Sequence, residues 1–199
     1  HYSVAMMSGE LFEIDALRLK VARVLNLDDA LNPHAHHTAH GEHGGHGTHE
    51  MKHSAVKPTW VIPHPKDKKV FVAGNGSDQV LEIDLEKWEV TNTYPTGKGP
   101  YNVEISPDGN TMVVTYKSEG ATGVWDLNSG KELAKIANSR KVSHGIAIAP
   151  DNKFAFVSVE GIGGEPGAVD VIDLKQLKLV STANVGKQAG GIGFWKMED

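Results

Sequence analysis

Short runs rich in Val, Ile, Phe and Thr recur along the chain, and turn residues such as Pro, Asp, Asn and Gly separate them. Three segments that begin at Pro58, Gly99 and Val142 align with one another by eye. In each segment an apolar strand meets a turn that contains Pro and Asp, a second strand follows, a third strand ends in Asp-Leu, and a short fourth closes the unit. Runs of this kind bounded by turn residues predict four β-strands in each unit.

Two sets of anchor residues show the period of the repeat. The prolines of the first turn are 42 and 43 residues apart, and the aspartates of the Asp-Leu pairs are 42 and 47 apart: Pro65, Pro107, Pro150; Asp84, Asp126, Asp173. The larger step is explained by the long loop Gly161–Gly167. A fourth copy opens the chain, since Tyr2–Asp15 aligns without gaps to Phe71–Asp84.

Four short strands every ~40–45 residues are the spacing of β-propeller blades. The sequence therefore predicts an all-β protein, a β-propeller of four-stranded blades. We expect the aspartate of each Asp-Leu pair to accept hydrogen bonds from backbone amides of the turn that follows.

The repeat of a Ser-Pro-Asp-Gly turn, a strand, a loop and an Asp-Leu pair resembles the YVTN-type, surface-layer-like propellers. The d-haem domain of periplasmic nitrite reductases is a more distant relative in pattern. The resemblance implies a seven-bladed ring in the periplasm or outside the cell. It is specific for the fold and weak for function, because propellers host many activities.

The blade boundaries follow from the alignment. Whole blades are predicted at 58–97, 99–139 and 142–186, and residues 29–57 form a His-rich loop insertion. Residues 1–28 supply three strands of a blade, and 190–199 resemble a first strand, so the two ends are predicted to form one composite blade. Closure of this kind removes the exposed sheet edges that invite aggregation.

About four blades in one chain leave three arrangements open. The chain is expected to be the C-terminal part of a seven-bladed ring, and the alternatives are a four-bladed ring and an eight-bladed ring of two chains. Because the chain begins at His1 rather than Met, we expect an upstream segment to have been removed.

Composition excludes several classes of function. The chain has 199 residues with a net charge of −5 and no basic stripe, so we expect no nucleic-acid partner. No apolar run approaches the ~18 residues of a membrane span. The absence of Cys removes disulfides, thiolate zinc sites and Cys nucleophiles.

Histidine is concentrated in the insertion, which holds eight of the 11 His residues of the chain. They are the candidate metal ligands: His34, His36, His37, His40, His43, His46, His49, His53. Imidazole suits Zn and Cu, which are the expected metals. Six of the eight recur every third residue, and an extended segment would space them ~9 Å apart, too far for one ion.

Two interpretations of the insertion therefore remain. It either curls around one tight site, or it offers several weak sites on a solvated Gly-rich tether. His49-Glu50-Met51-Lys52-His53 spells HExxH, but it lies in a Gly/His-rich loop rather than on an apolar helix. We therefore expect no peptidase activity, although His49 and His53 remain candidate ligands.

The mouth of the central channel is the second candidate site. First strands line a propeller axis, and the alignment places one group of residues just after the loops that lead into these strands: Thr59, Trp60, Tyr101, Asn102, His144. They could bind a ligand, or they could only pack and cap the inner strands. No clustered catalytic group is evident.

The expected function is a non-enzymatic, secreted or periplasmic binding module that takes a protein or small-molecule ligand on the propeller face. Transition metal, Zn or Cu, would bind through the His-rich loop. The alternative is an enzyme or redox partner, lactonase-like or d-haem-domain-like, that uses the channel mouth. The missing blades or a second copy of the chain are further expected partners.

Overall fold

The computed structural model describes residues 1–33 and 53–196 of the chain. Fifteen strands and one short helix lie in these ranges, in the order β1 Tyr2–Ala5, β2 Glu10–Asp15, β3 Lys20–Asn26, α1 Leu27–Leu31, β4 Pro58–Pro63, β5 Lys69–Gly74, β6 Gln79–Asp84, β7 Glu89–Pro95, β8 Pro100–Ile105, β9 Thr111–Tyr116, β10 Ala121–Asp126, β11 Lys131–Ala137, β12 Val142–Ile148, β13 Phe154–Glu160, β14 Ala168–Asp173 and β15 Lys178–Asn184. None of the described helices is long and apolar enough to cross a bilayer.

The strands form four antiparallel sheets, each made of consecutive strands. The first sheet is β1-β2-β3, and the other three have four strands each, β4 to β7, β8 to β11 and β12 to β15. The strand that opens each sheet contacts the strand that opens the next sheet: β1 contacts β4, β4 contacts β8, and β8 contacts β12. This arrangement confirms the prediction of an all-β, propeller-like fold built from blades.

Closure of the sheets into a ring stays a prediction. No extensive contact joins β12 to β1 within the described residues. A seven-bladed ring is neither supported nor contradicted by the four sheets.

The opening copy of the repeat matches the later one in strand pairing as well as in sequence. Tyr2 pairs with Glu13 across β1 and β2, and Phe71 pairs with Glu82 across β5 and β6, as the ungapped alignment requires. Strands two and three of the first blade are therefore in the register that the sequence predicted.

Both faces of the middle sheets are apolar because each face is covered by a neighbouring sheet. Along β5, Val70 and Val72 pack toward the first sheet, whereas Phe71 and Ala73 pack toward the third. A third cluster, which includes Val113 and Val157, fills the space between the third and fourth sheets. Because side chains alternate between the two faces of a strand, each middle sheet contributes to two apolar cores and has no solvent-exposed face.

The aspartates of the Asp-Leu pairs have the role that the sequence predicted. Asp84 Oδ1 accepts the backbone N–H groups of Glu86 and Lys87 at 2.8 and 2.9 Å, and Asp173 Oδ1 accepts those of Lys175 and Gln176. The amides of the turn hold the pKa of the Asp84 carboxyl below its usual value. These residues therefore fix the turn after the third strand.

The C-terminal segment does not form a strand within residues 185–196. It lies beside the last inner strand instead, where the backbone N–H of Gly145 donates to Gly190 O at 3.3 Å. No strand of the described residues pairs with the free edge of β1. The composite blade of residues 1–28 and 190–199 therefore stays a prediction.

Helix α1 crosses the expected boundary between the first blade and the insertion at residue 29. It begins where it does because the Asn26 side chain accepts the backbone N–H of Asp29 at 3.0 Å, which caps the first turn. The chain that leads out of β3 is therefore helical as far as Leu31.

Candidate functional site

A pocket of about 310 Å³ opens where the first strands of the second, third and fourth blades begin. It is lined by four of the residues that the sequence singled out and by glycines and an isoleucine of β12 and the C-terminal segment: Trp60, Tyr101, Asn102, His144, Gly145, Gly190, Gly191, Ile192. The fifth predicted residue, Thr59, does not line the pocket. Its hydroxyl supports the wall by donating to Tyr101 O at 2.7 Å.

Each inner strand has an irregular register where it reaches this pocket. The pairing of β8 with β9 shifts between Pro100 and Val103, and that of β12 with β13 shifts between Ser143 and Ile146. Each shift inserts one extra residue, at Tyr101–Asn102 and at His144–Gly145, and so forms a β-bulge. Bulges re-aim side chains, and here they occur at the predicted site residues.

Hydroxyl groups of the second strands hold these bulges. Thr115 Oγ1 accepts the backbone N–H of Asn102 at 3.0 Å and donates to His144 O at 2.8 Å. Ser158 Oγ accepts the backbone N–H of Gly145 at 2.9 Å and donates to Gly190 O. Each hydroxyl therefore links a bulge to the next inner segment, and Gly190 takes the place that His144 has one blade earlier.

Aromatic rings surround the mouth of the pocket. The rings of Tyr101 and His144 meet edge to face with centroids 5.2 Å apart, and the Trp60 side chain is 43% exposed. The ammonium of Lys117 lies 4.2 Å from the centroid of the Tyr101 ring, within the range of a cation–π contact. The mouth thus offers ring surfaces to a ligand together with one fixed positive charge.

His144 is held by an acidic neighbour that the sequence analysis missed. Its Nε2 atom lies 2.8 Å from Glu160 Oε2, and both side chains are mostly buried. A carboxylate on one ring nitrogen orients the imidazole and leaves Nδ1 as the nitrogen available to a ligand.

Asn102 supplies the most unusual polar group of the pocket wall. Its side chain is 3% exposed, and its Oδ1 atom has no hydrogen-bond partner among the described residues. Buried polar groups normally have a partner from the protein or from ordered water. This buried acceptor is therefore left unsatisfied by the described residues.

Glu104, two residues further along β8, was also missed. The corresponding positions in the second and fourth blades are Ile62 and Ala147, so an acid at this point of an apolar strand was a visible signal. Burial raises the pKa of the Glu104 carboxyl to about 7. No hydrogen bond or ion pair to this carboxyl occurs within the described part of the chain.

The His-rich segment lies almost entirely outside the described residues. Seven of its eight candidate ligands do so: His34, His36, His37, His40, His43, His46, His49. The eighth, His53, is exposed at the point where the described chain resumes. Within the described ranges no three His, Asp or Glu side chains are grouped as a metal site requires.

The two ends of the insertion are joined at its base. Asp28 of α1 accepts the backbone N–H groups of Ala55 and Val56 through Oδ1 at 2.8 and 3.1 Å. The backbone N–H of Ser54 donates to Met7 O at 3.0 Å. The segment therefore leaves and returns at one place, next to the turn between β1 and β2.

Comparison with known proteins supports the fold and leaves the function open. No family model matches the chain, and no curated protein matches it. Among solved structures, the hydrazine synthase of Kuenenia stuttgartiensis is similar over 89% of this chain, with 20% sequence identity and a TM-score of 0.70. This chain spans 44% of the length of that one.

At 20% identity this similarity shows the fold alone. Matches to 994 solved chains indicate how widely the fold is used, which is a further reason not to infer an activity from it. The structure defines a propeller-like, all-β protein. Its pocket lies where the first strands of the blades begin, which we call the upper ends of the inner strands.

Proposed function

We propose that this chain is a binding module that takes a small ligand in the pocket between its inner strands. The observation that carries the proposal is the buried, unpartnered Oδ1 atom of Asn102 in the wall of a pocket with aromatic residues at its mouth. Ligand pockets are typically apolar clefts with a few placed polar groups, and their volume is ~300 Å³ or more. Such a pocket fits a ligand with a flat or apolar body and a hydrogen-bond donor.

The resemblance to YVTN-type propellers supports a location in the periplasm or outside the cell. We therefore propose a secreted or periplasmic binding module. The partner on the propeller face would be a small molecule or a side chain presented by another protein.

The pocket can be tested by ligand-observed NMR with a mixture of small aromatic compounds. We expect compounds that bind the native chain to lose at least tenfold in affinity in a Trp60→Ala variant, because that ring forms part of the wall. Trp195→Ala is the matched control, since Trp195 is 87% exposed and does not line the pocket. Equal binding by the native chain and the Trp60 variant would refute the pocket as the binding site.

We also propose that the His-rich insertion binds Zn or Cu. Eight imidazoles within 20 residues support this, and so does the closed base formed by Asp28, which keeps both ends of the segment together. Zinc and copper titrations of the untagged chain, beside a variant that lacks residues 34–53, test it. Binding near one ion per chain that disappears in the variant is expected; ion binding that survives the deletion contradicts the proposal.

A second candidate function, a reaction or haem binding at the mouth, is favoured by the contact between His144 and Glu160. A carboxylate-oriented imidazole can act as a general base or as a metal ligand. Hydrolysis of a lactone panel, or a Soret band after addition of haem, would support this candidate if His144→Gln abolished the signal. Absence of both signals from the native chain would exclude it.

A further inference from the structure

Two hydrogen-bond acceptors without partners lie on the same side of β8. Glu104 pairs in register with Val113, whose side chain belongs to the apolar cluster between the third and fourth sheets. Asn102 lies opposite Thr115, which bonds to β12. The two side chains therefore both face β12, and their Cα atoms are ~7 Å apart at the usual rise of a strand.

Neither acceptor bonds to a neighbouring sheet within the described residues. The equivalent positions to Glu104 hold Ile62 and Ala147, so the inner strand is built without an acid in the neighbouring blades. Asn102 Oδ1 is fully buried, and a buried acceptor that bonds to nothing calls for a ligand, ion or water that satisfies it, whereas Glu104 is partly exposed.

The other charged groups at the mouth limit where a charged ligand could bind. Lys117 places its ammonium over Tyr101, which shows that this ring accepts a cation and also that this place is taken. Glu160 is engaged by His144. Glu104 does not line the pocket, but its carboxylate has no counter-charge among the described residues and lies two residues further along β8 than Asn102.

We propose that the pocket recognises a small organic cation, with its ammonium head turned inward to donate to Asn102 Oδ1 near the Glu104 carboxylate. Its apolar body would lie against Trp60 and the paired rings of Tyr101 and His144. This inference depends on the function proposed above, and it deepens that function by naming the class of ligand. Charge attraction to Glu104 and contact with aromatic rings are the forces by which proteins bind ammonium ligands.

Three probes of similar shape and different charge separate the contribution of charge from that of the aromatic ring. Benzylammonium, benzyl alcohol and benzoate are titrated into the native chain by calorimetry at pH 8, above the pKa of about 7 for Glu104. We expect benzylammonium to bind at least tenfold more tightly than benzyl alcohol, and benzoate to bind most weakly.

Two variants and one control locate the effect. Glu104→Gln should bring the affinity for benzylammonium down to that for benzyl alcohol, and Asn102→Leu should weaken it at least fivefold. Glu86→Gln removes the same charge from an exposed site that pairs with Lys68, and it should change nothing.

The outcomes distinguish this inference from the proposed function. If benzyl alcohol binds as tightly as benzylammonium, or if Glu104→Gln keeps the preference for the cation, the inference fails while the pocket remains a binding site. If none of the three probes binds the native chain but other aromatic compounds do, the inference fails again. If no compound binds, the proposed function fails with it.

Discussion

The inner strands are the first strands of the blades. Their upper ends, where they begin at the pocket, and their lower ends, where they meet the Pro turn, come from the same repeat, but the polar groups at the two ends are satisfied in different ways. At the lower end His64 Nδ1 accepts the backbone N–H of Asp67 at 2.9 Å, and Nε2 lies 3.0 Å from Gly109 O in the next blade. These bonds place the imidazole proton on Nε2, which donates to that carbonyl. His64 thus uses both ring nitrogens inside the chain.

The same end of the third blade is equally complete. Ser106 Oγ donates to Asp108 Oδ1 at 2.6 Å, and the backbone N–H of Asp108 donates to Asn152 Oδ1 in the fourth blade at 3.1 Å. Polar side chains at the lower end therefore join neighbouring blades.

The upper end leaves Asn102 Oδ1 without a partner, and the Glu104 carboxyl, further down β8 toward the lower end, also has none among the described residues. Since the strands and their spacing are the same at both ends, the difference lies in the side chains and not in the scaffold. A polar group whose partners are inside the chain has a structural role, whereas a buried group without one is the candidate for ligand binding.

The largest predicted effect concerns the burial of Glu104. Because its pKa rises from 4.5 to about 7 on folding, the folded state holds this proton more tightly than the unfolded chain does. The contribution of this group is therefore complete below pH 4.5 and is lost as the pH rises through about 7. At 1.4 kcal/mol per pKa unit the loss is up to about 3 kcal/mol.

Glu104→Gln should remove this dependence. Urea unfolding at pH 4.5, 6 and 8 should show a variant that equals the native chain at the lowest pH and exceeds it by up to about 3 kcal/mol at the highest. Glu86→Gln serves as the exposed control. A difference between variant and native chain that does not vary with pH would contradict the burial of an ionisable group without a partner.

The next effect tests the lower end. His64→Ala removes the bonds of a nearly buried ring to two blades, and we expect it to lower the free energy of unfolding by about 2 kcal/mol. Affinity for benzylammonium should stay unchanged, since the ring is remote from the pocket. Lys66→Ala, in the same turn, is the control. A change in affinity would show that the two ends are coupled.

Thr115→Val tests the support of the bulge. The change removes the acceptor for the backbone N–H of Asn102 and the donor to His144 O, which should lower stability by about 1–2 kcal/mol. It should also weaken ligand binding several-fold, because the wall residues lose their positions. Thr111→Val in the same strand is the comparison, and equal ligand binding by both variants would argue against this role.

The smallest effect on stability is expected at Asn102. Asn102→Leu should change the free energy of unfolding by less than about 1 kcal/mol, because Oδ1 has no hydrogen bond to lose. Asn138→Leu should cost about 2 kcal/mol or more, since Asn138 bonds Thr122, Ser143 and Asp170. Thermal unfolding of the two variants side by side measures the contrast, and equal losses would contradict the absence of a hydrogen bond to Asn102 Oδ1.

The blades could be predicted from the sequence because their information is local and repeated. The turn prolines, the Asp-Leu pairs and the apolar runs recur with one period, and the alignment that joined Tyr101 to His144 placed both on the wall of one pocket. Contacts between equivalent positions of neighbouring blades thus follow from the repeat itself.

The partners of the site residues could not be found in this way. Lys117 and Glu160 reach Tyr101 and His144 across strands, and the bulges that turn these side chains depend on hydroxyls of the second strands. Glu104 was recognisable as an acid among apolar residues, but its lack of a partner is a property of the packed sheets.

The links between inner strands have a consequence for how such a protein can evolve. Thr59, Thr115 and Ser158 each donate to a backbone carbonyl of the following inner segment, at Tyr101, His144 and Gly190. Each link uses only the main chain of the receiving residue, so the link survives when that residue is replaced by another. Mutation can therefore diversify the ligand preference of the pocket, one blade at a time, without altering the architecture that supports it.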